Sequence, residues 1–469
     1  MAVYKCSVCD TVFDEEKEGK KWEELAEEWN CHVCESGKSV WQRIDEKVSG
    51  PDVSEGKPAD TSGAPDEYKK LSDELEVHMS DIHEIAKTGQ SIIEPMRTRK
   101  PTLSWDEILI KGAQLAKLPL DHEAPINAKT VIGPKAKVPL LIETPVYVTH
   151  MSFGALSKEA KIALAKGSAA VKTAMCSGEG GILPESLENA YRYIFEYVPN
   201  EYSVSEENLQ KVDAIEIKIG QSAKPGLGGH LPGKKVTKEI AEIRGFREGE
   251  DIISPAHFKE IKNRDDLKKK VAWLRDVSGG KPVGIKFAAG HVEADLEVAL
   301  HAQPDFITID GRAGATGASP KFVKAATSVP SMFALYRAQK FIKERGVEGV
   351  SLVITGGMRI SADFAKALAL GADAIAIGTS ALMAIGCQQY RICHTGKCPM
   401  GITTQDPSLR ARLNIEESAK GLENFLRVTT EEMKDFARLT GNDNVHKLSM
   451  SDLCTTNSEI SNYTEIEHI

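Results

Sequence analysis

The sequence lacks any apolar run long enough to span a bilayer, and its start, MAVYKCSVCD, lacks the basic and apolar regions of a signal peptide. It has no block of Lys and Arg, and its formal net charge is -9, so a nucleic-acid or anionic-membrane surface is not expected. With 41% hydrophobic and 27% charged residues, the composition is that of an ordinary globular protein. We therefore expect a cytoplasmic protein whose thiols stay reduced.

Another absence concerns the fold. No G-x-G-x-x-G turn follows the first predicted strand, which disfavours a doubly wound dinucleotide-binding sheet. From residue 146, short β-rich runs alternate with helical segments, and several runs are continuously apolar, as in parallel strands buried on both faces. The predicted strands are 146–151, 172–177, 214–220, 282–288, 305–310, 329–335, 351–357 and 374–380. Eight strand–helix repeats predict an α/β fold of the (β/α)8 TIM-barrel type.

The composition changes along the chain and predicts four segments. Residues 1–45 hold too little apolar side chain to fold without a metal or another staple. Residues 46–90 begin as a linker rich in Pro, Gly, Ser and Asp and continue as a polar helical stretch over 68–87. Residues 91–455 carry the barrel, and 456–469 form a polar tail.

Nine cysteines in a reducing compartment point to metal binding before disulfides. Four of them form two C-x2-C pairs, namely Cys6, Cys9, Cys31 and Cys34. Four thiolates give tetrahedral sulfur coordination, which suits iron or zinc. The segments YKCSVCDTVFD and WNCHVCESGKSVWQ resemble the two knuckles of rubredoxins, although Asp10 and His32 replace the usual glycine and proline. We predict a rubredoxin-like mononuclear iron site, with a structural zinc ribbon as the alternative.

Three further cysteines, Cys387, Cys393 and Cys398, follow the last predicted strand with the spacing C-x5-C-x4-C and then a proline. This spacing is unlike that of a zinc finger. Three thiolates can hold a three-iron, four-sulfur (3Fe–4S) cluster. By spacing alone, three cysteines of the protein core are an equal alternative.

The segment GCQQYRICHTGKCPMGITTQDP resembles the cluster loop of glutamate synthases, in which three cysteines at this spacing bind a 3Fe–4S cluster beside FMN. The resemblance extends from about residue 92 to 455, is closest to the archaeal-type synthase domain and includes FLRVTTEEMKDFARLTGNDNVHKLSMSDL. It implies an oxidoreductase in which reduced FMN, fed through iron centres, converts 2-oxoglutarate and ammonia to glutamate.

Three glycine-rich turns, GRAGATGASP, TGGMR and GTSA, follow predicted strands. Glycine lets backbone N–H groups approach a phosphate, and in barrels the phosphate commonly lies beyond strands seven and eight. Tight structural turns are the alternative. The resemblance implies that FMN contacts Ser152, Lys286, Gly314, Thr316, Gly317, Gly356, Gly357, Gly378 and Thr379. For Lys286, a cation beside the reduced flavin, the alternative is a paired barrel lysine.

The segments CSGEGG, IKIGQSAKPGLGGHLPG and IAEIRG resemble the family's substrate pocket. A dicarboxylate substrate needs fixed cations, and arginine can bind a carboxylate bidentately. The resemblance implies catalytic roles for Glu179 and Lys224, and substrate binding by Gln221, His230 and Arg244. The sequence departs from the bacterial form, because Leu227 replaces an acidic residue and His230 a glutamine. Without the resemblance, Glu179 and Lys224 would be ordinary loop charges.

The expected partners follow from what the family's larger members contain. Met1 is followed by Ala2, and no glutaminase domain that begins with a cysteine nucleophile fits, so ammonia is expected from solution or a separate glutaminase subunit. The electron donor is expected to be another protein or a deazaflavin-linked system. Two alternatives are a methylamine–glutamate methyltransferase-type subunit and a non-catalytic subunit that transfers electrons through FMN and iron–sulfur groups.

Overall fold

The computed structural model describes residues 2–6, 11–26, 29–30, 37–44 and 73–469. It divides the chain into two compact units, Met1–Glu74 and Leu75–Ile469. Three of the four predicted N-terminal ligands, Cys9, Cys31 and Cys34, lie outside the described residues, as does most of the predicted linker.

The first unit contains a three-stranded antiparallel sheet around a small aromatic core. The strand Val3–Cys6 pairs with Val12–Asp14 on one side and with Trp41–Arg43 on the other. One α-helical turn, Glu15–Glu18, and two 3-10 turns, Trp22–Glu24 and Lys38–Val40, connect these strands. The rings of Phe13, Trp22, Trp29 and Trp41 lie with centroids 5.2 to 5.8 Å apart. Aromatic rings bury large areas, so they supply a core that the low apolar content did not predict.

The second unit contains a closed barrel of eight parallel strands, as the sequence predicts. In chain order the strands are β1 (Val146–Val148), β2 (Ala174–Cys176), β3 (Arg192–Tyr197), β4 (Ala214–Lys218), β5 (Val283–Ala288), β6 (Phe306–Asp310), β7 (Ser351–Thr355) and β8 (Ala374–Ile377). Each strand pairs with its neighbour in sequence, and β8 pairs with β1 to close the barrel. The TIM-barrel prediction is confirmed.

Two strand predictions differ from the structure. The segment 329–335 is not a strand, because helix Ser331–Glu344 begins directly after Pro330. Strand β3 was missed, since its sequence RYIFEY places a charged residue, Glu196, in the barrel interior. Short apolar runs do not distinguish strand from helix by periodicity. As a result, Lys286 lies on β5 and not on a fourth strand, and GRAGATGASP follows β6 and not a fifth strand.

Helices surround the barrel. They are Met79–Thr88, Lys158–Ala170, Pro184–Glu188, Glu206–Lys211, Lys238–Arg244, Arg264–Val277, Val292–His301, Lys321–Ala326, Ser331–Glu344, Ser361–Ala369, Thr379–Ala384, Pro407–Arg410, Ile415–Leu439 and Ser458–Tyr463. Side chains of Ser157, Asn263 and Asn414 cap three of them by accepting backbone N–H groups. None of the helices among the described residues has the length and apolar character needed to cross a membrane.

Short strands complete the unit. They are Ile108–Ile110, Thr130–Ile132, Leu140–Ile142, His230–Leu231, Ile252–Ile253, Leu453–Thr455 and Glu467–His468. The last two pair with each other, and Leu453–Thr455 also pairs with Ile108–Ile110. Ile460 and Ile466 are buried. Residues 456–469, predicted as a polar tail, are therefore folded into this unit.

Candidate active site

A cavity of about 690 Å³ opens where the strands of the barrel end at their carboxyl termini. This is the face of a (β/α)8 barrel on which active sites lie. The cavity is lined by all of the predicted flavin, substrate and C-terminal cysteine positions, namely Ser152, Glu179, Gln221, Lys224, His230, Arg244, Lys286, Gly314, Thr316, Gly317, Gly356, Gly357, Gly378, Thr379, Cys387, Cys393 and Cys398. The structure thus brings together residues that are more than two hundred positions apart in sequence.

The glycine-rich turns form one side of this cavity. Gly356 has a φ of 112°, and a Cβ atom there would lie 2.1 Å from the carbonyl oxygen of Gly311, so only glycine fits. In the first turn of helix Thr379–Ala384, which follows β8, the buried Ser380 hydroxyl has no hydrogen-bond partner among the described residues. Burial and the nearby Arg97 lower the pKa of Arg359, in the turn after β7, to about 10. Three features of this side fit a bound phosphate. They are backbone turns that allow a close approach, a buried hydroxyl without a partner, and a guanidinium that lies near a second one.

Paired charges form the floor of the cavity. The Lys286 ammonium contacts the carboxylate of Glu196 and lies 3.4 Å from Glu216. The Thr308 hydroxyl also donates to Glu216, and all four side chains are buried. His150, Glu196 and Glu216 hold potential metal-ligating atoms within 4.8 Å of one another. Lys286 supplies the positive charge among them, so the structure shows the paired barrel lysine, and a flavin contact by Lys286 stays a prediction.

The pKa values of these groups follow from their pairing. Although burial disfavours the ammonium, the two carboxylates raise the pKa of Lys286. Burial also opposes ionisation of Glu196, but the nearby imidazole and lysines hold its pKa well below the usual range. Burial lowers the pKa of His150, which favours the neutral ring. Its Nδ1 accepts the Gly178 N–H at 3.1 Å, so the proton is assigned to Nε2, 3.1 Å from Glu216.

Glu179, a predicted catalytic residue, lies at the edge of this floor. Its carboxylate forms an ion pair with Lys218, at the end of β4, and a Cβ atom on Gly229 would lie 2.3 Å from Glu179 Oε1. Burial raises the pKa of Glu179, but Lys218 and Lys224 outweigh it and lower the value overall. Lys218 was missed by the sequence analysis. Its signal was a lysine at the carboxyl end of a predicted strand, where barrel active sites gather side chains.

Two cations near Glu179, Lys224 and Arg244, have no carboxylate within ion-pair distance among the described residues. Lys224 donates to the Gly228 carbonyl at 3.1 Å, and burial lowers its pKa. Arg244 donates to the Phe153 carbonyl at 2.7 Å and packs over the ring of Tyr202 at 5.3 Å. The buried Nε atom of Arg244 has no hydrogen-bond partner in the described part of the chain. Buried cations with free donors fit an anionic ligand.

The remaining predicted substrate residue with a charged or titratable side chain lies at the rim. The His230 side chain is 54% exposed, and its Nε2 lies 2.8 Å from Asp251 Oδ2. Asp251 also accepts the Gly233 N–H at 2.7 Å, which fixes the loop after His230. These contacts occupy the imidazole at the protein surface.

The three C-terminal cysteines line the cavity beside the turn after β6. Cys393 lies in the 3-10 turn Cys393–Thr395, and its sulfur is 3.8 Å from the sulfur of Met96. A Cβ atom on Gly317 would lie 3.6 Å from Cys393 Cβ. Burial raises the pKa of Cys398, but N–H groups of Thr403 and neighbouring residues outweigh this effect and lower the pKa overall. N–H groups directed at a sulfur stabilise a thiolate, the form that binds metals.

Of the N-terminal cysteines, Cys6 alone is described, and it is fully buried at the end of strand Val3–Cys6. The predicted iron site therefore stays a prediction.

An eight-stranded parallel barrel with glycine turns, buried charges and a ligand-sized cavity at its carboxyl face defines the class of barrel enzymes. The family model for the conserved region in glutamate synthase matches residues 76–443. An archaeal-type glutamate synthase (NADPH) from Thermotoga maritima is 37% identical over 382 residues, covering 76% of this chain and 75% of that protein. The chain belongs to the glutamate synthase family, and it is an oxidoreductase of the glutamate synthase type.

Other relatives agree. An archaeal glutamate synthase (NADPH) from Methanocaldococcus jannaschii is 36% identical over 399 residues, covering 78% of this chain and 78% of that protein. A glutamate synthase large subunit-like protein from Rhizobium meliloti is 34% identical over 408 residues, covering 83% of this chain and 92% of that protein. A solved mandelate oxidase aligns with a TM-score of 0.48 and 15% identity over 75% of this chain and 87% of its own, which is too distant to support an inference.

Proposed function

We propose that this chain forms glutamate by reductive amination of 2-oxoglutarate. The balanced reaction joins 2-oxoglutarate, ammonium, two electrons and two protons to give glutamate and one water. The observation that carries the proposal is the pair of buried or half-buried cations, Lys224 and Arg244, which lack carboxylate partners among the described residues and line the same cavity as the glycine turns. Two such cations match the two carboxylates of the substrate.

The chain's own residues have distinct tasks in this reaction. Lys224 and Arg244 bind and orient the substrate carboxylates, and Gln221 contributes a further contact. His230, which Asp251 holds at the exposed rim, contributes only a weak contact to the substrate. Glu179 binds the nitrogen centre, or it accepts a proton from the incoming ammonium and returns that proton to the nitrogen centre. Its ion pair with Lys218 keeps the carboxylate in place and ionised before substrate enters. The half-enclosed cavity restricts water around these groups.

FMN, when bound, supplies the hydride chemistry. We assign its contacts to the predicted set, with the phosphate held by the turns after β7 and β8, where Gly356, Gly357, Gly378 and Thr379 lie. Ser380 and Arg359 are further phosphate-binding groups, because both line or adjoin that turn and the Ser380 hydroxyl lacks a partner in the described residues. Ser152, Lys286, Gly314, Thr316 and Gly317 complete the set.

We further propose that Cys387, Cys393 and Cys398 hold a 3Fe–4S cluster. Two observations support a thiolate-bound group beside the flavin turns: all three cysteines line the same cavity as those turns, and N–H groups directed at Cys398 lower the pKa of its thiol. Burial raises the pKa of the other two thiols, Cys387 and Cys393, so a bound metal would stabilise their thiolate forms. Rubredoxin-type iron at Cys6, Cys9, Cys31 and Cys34 would pass electrons to this centre one at a time. Ammonia comes from a separate glutaminase subunit or from solution, and electrons come from a protein or deazaflavin-linked donor. Thiolate ligands that must stay reduced favour a cytoplasmic setting.

The test is an anaerobic assay on the purified chain with dithionite-reduced carrier, 2-oxoglutarate and ammonium. We expect glutamate, and we expect the protein to contain FMN, iron and acid-labile sulfide. Exchange of label between methylamine and glutamate without net reduction would instead favour the methyltransferase-type activity. Flavin reduction without either product would favour the non-catalytic electron-transfer role. A colourless protein that contains zinc alone would contradict the redox proposal.

A further inference from the structure

Lys235 is a buried cation that the proposed reaction does not use. It ends the 3-10 turn Gly233–Lys235, which directly follows the strand carrying His230 in the substrate loop. Its residue is 7% exposed, and its Nζ donates to the carbonyl oxygen of Cys393 at 2.8 Å. A Cβ atom on Gly396 would lie 3.0 Å from Lys235 Cε, so the cysteine loop packs closely around the lysine stem. The side chain therefore joins the substrate loop to the cysteine loop.

The charge of Lys235 is not balanced by a carboxylate. Among the residues that the structure describes, no acidic side chain lies within ion-pair distance of its Nζ, in contrast to the buried Lys324, which has Glu94 at 2.9 Å. An ammonium has three donors, and in the described part of the chain the Cys393 carbonyl takes one of them. A buried cation without a partner is costly, so an anion in the cysteine loop would stabilise it.

The sequence of the cysteine loop points the same way. Residues 387–400 contain Arg391 and Lys397 but no Asp or Glu. The backbone N–H groups of Met400, Ile402 and Thr403 are directed at the sulfur of Cys398. N–H donors are directed at the sulfur of Cys398, and the loop that carries the three cysteines has two basic residues and no acidic one. This arrangement favours a negatively charged group bound by the sulfurs.

We propose that Lys235 is the counter-ion of the 3Fe–4S cluster assigned above and raises its reduction potential. The inference rests on that assignment. One-electron reduction adds one negative charge next to a fixed ammonium in a poorly solvated site, so the lysine stabilises the reduced state more than the oxidised state. Lys235 is a positioning residue, since it acts on the potential at which electrons reach the cavity and does not touch the substrate.

The experiment is an anaerobic redox titration of the full-length protein with dithionite and mediators, following the low-temperature paramagnetic signal of the oxidised cluster. The variants are Lys235→Met, Lys235→Arg and the matched control Lys234→Met, whose lysine is the exposed neighbour in the same turn. We expect Lys235→Met to lower the equilibrium constant for reduction about tenfold, which is ~59 mV for a one-electron couple. Lys235→Arg and Lys234→Met should each shift it less than about threefold, because the charge is kept or is screened by water.

The possible outcomes distinguish a failure of the proposed role of Lys235 from a failure of the 3Fe–4S assignment on which that role rests. A wild-type protein without iron, sulfide or the signal would overturn both. A wild-type signal together with an unchanged potential in Lys235→Met would overturn the inference and leave the cluster in place. Loss of the signal in Lys235→Met with retention in Lys235→Arg would support it, because the charge is then needed to hold the cluster. Loss in both variants, or an equal shift in Lys234→Met, would contradict it.

Discussion

The floor and the rim of the barrel cavity hold buried charges in opposite ways. On the floor, Lys286 is paired with two carboxylates, those of Glu196 and Glu216, although Glu196 Oε2 has no hydrogen-bond partner among the described residues. Near the rim, Arg244 and Lys235 are equally buried but reach backbone carbonyls and no carboxylates among the described residues. The burial is the same, and the pairing differs.

The charges of the floor therefore stabilise the fold, whereas the cations near the rim are available to bind an anionic ligand. A buried cation that already has a carboxylate partner gains little from an anionic ligand, whereas a buried cation without an anion gains most from one. The floor therefore sets a fixed electrostatic environment beneath the predicted flavin position. The rim cations are the groups whose energy depends on substrate or cluster.

The largest expected effect comes from breaking the floor. Lys286→Met leaves two buried carboxylates without their cation and should lower the free energy of unfolding by about 3 kcal/mol. Urea denaturation measures the change, with the exposed Lys343→Met as control. Adding Glu216→Gln to Lys286→Met should recover part of the loss, because one uncompensated charge is removed. A single variant as stable as the wild type would show that the floor is solvated or protonated.

The next largest effect is expected in the KM for 2-oxoglutarate when a cation near the rim is removed. Arg244→Ala should raise the KM for 2-oxoglutarate by about 10-fold to 100-fold, because a charge-assisted hydrogen bond contributes roughly 1.5–3 kcal/mol. Steady-state kinetics measure it, and Arg247→Ala is the control, since that side chain is 86% exposed in the same region of the sequence. Lys224→Ala should act in the same direction. If Arg244→Ala changed stability but left KM unaltered, Arg244 would belong with the floor charges.

A third prediction uses Lys161, a buried cation that donates to the carbonyls of Met151, Cys176 and Ser177 at the ends of β1 and β2. Burial lowers its pKa to about 7. Between pH ~7 and ~10 the unfolded chain then binds more protons at this site than the native chain, so stability should rise with pH by about 1 kcal/mol per unit. Below pH ~7 the site adds no slope. Urea midpoints across this range should show the rise in the wild type and lose it in Lys161→Met. An equal rise in both proteins would exclude Lys161 as its source.

The sequence was sufficient for the barrel because local patterns carry it, and for the membership of the cavity because the resemblance to glutamate synthases supplied it. Apolar runs predict most of the strands, and glycine turns with the C-x5-C-x4-C spacing place the ligand-facing loops. Strand β3 was missed because buried charge inside a strand, here Glu196, contradicts the apolar pattern. The segment 329–335 was taken for a strand because its apolar run resembles one, although Pro330 precedes a helix.

Pairing was the part of the site that the sequence could not predict. Lys286 sits in IKFAA, an apolar context that favours an unpaired flavin contact, but its partners come from β3 and β4, 90 and 70 residues earlier. Lys218 stands at the carboxyl end of a predicted strand, but nothing local shows that it pairs with Glu179, and Lys235 carries no local signal that distinguishes it from other lysines. Whether a buried cation has a partner depends on contacts between distant elements, which one sequence does not reveal.

The smallest change in KM is expected for a variant of His230, whose side chain is exposed at the rim. His230 replaces a glutamine of the bacterial form, and its imidazole is half exposed and held by Asp251. Exposed pairs contribute little because water screens them. His230→Gln should therefore change the KM for 2-oxoglutarate by less than about threefold, measured beside Arg244→Ala under the same conditions. A tenfold or larger change would mean that the rim closes over the substrate and buries His230. His230 would then belong with the side chains that bind the ligand and not with the paired charges of the surface.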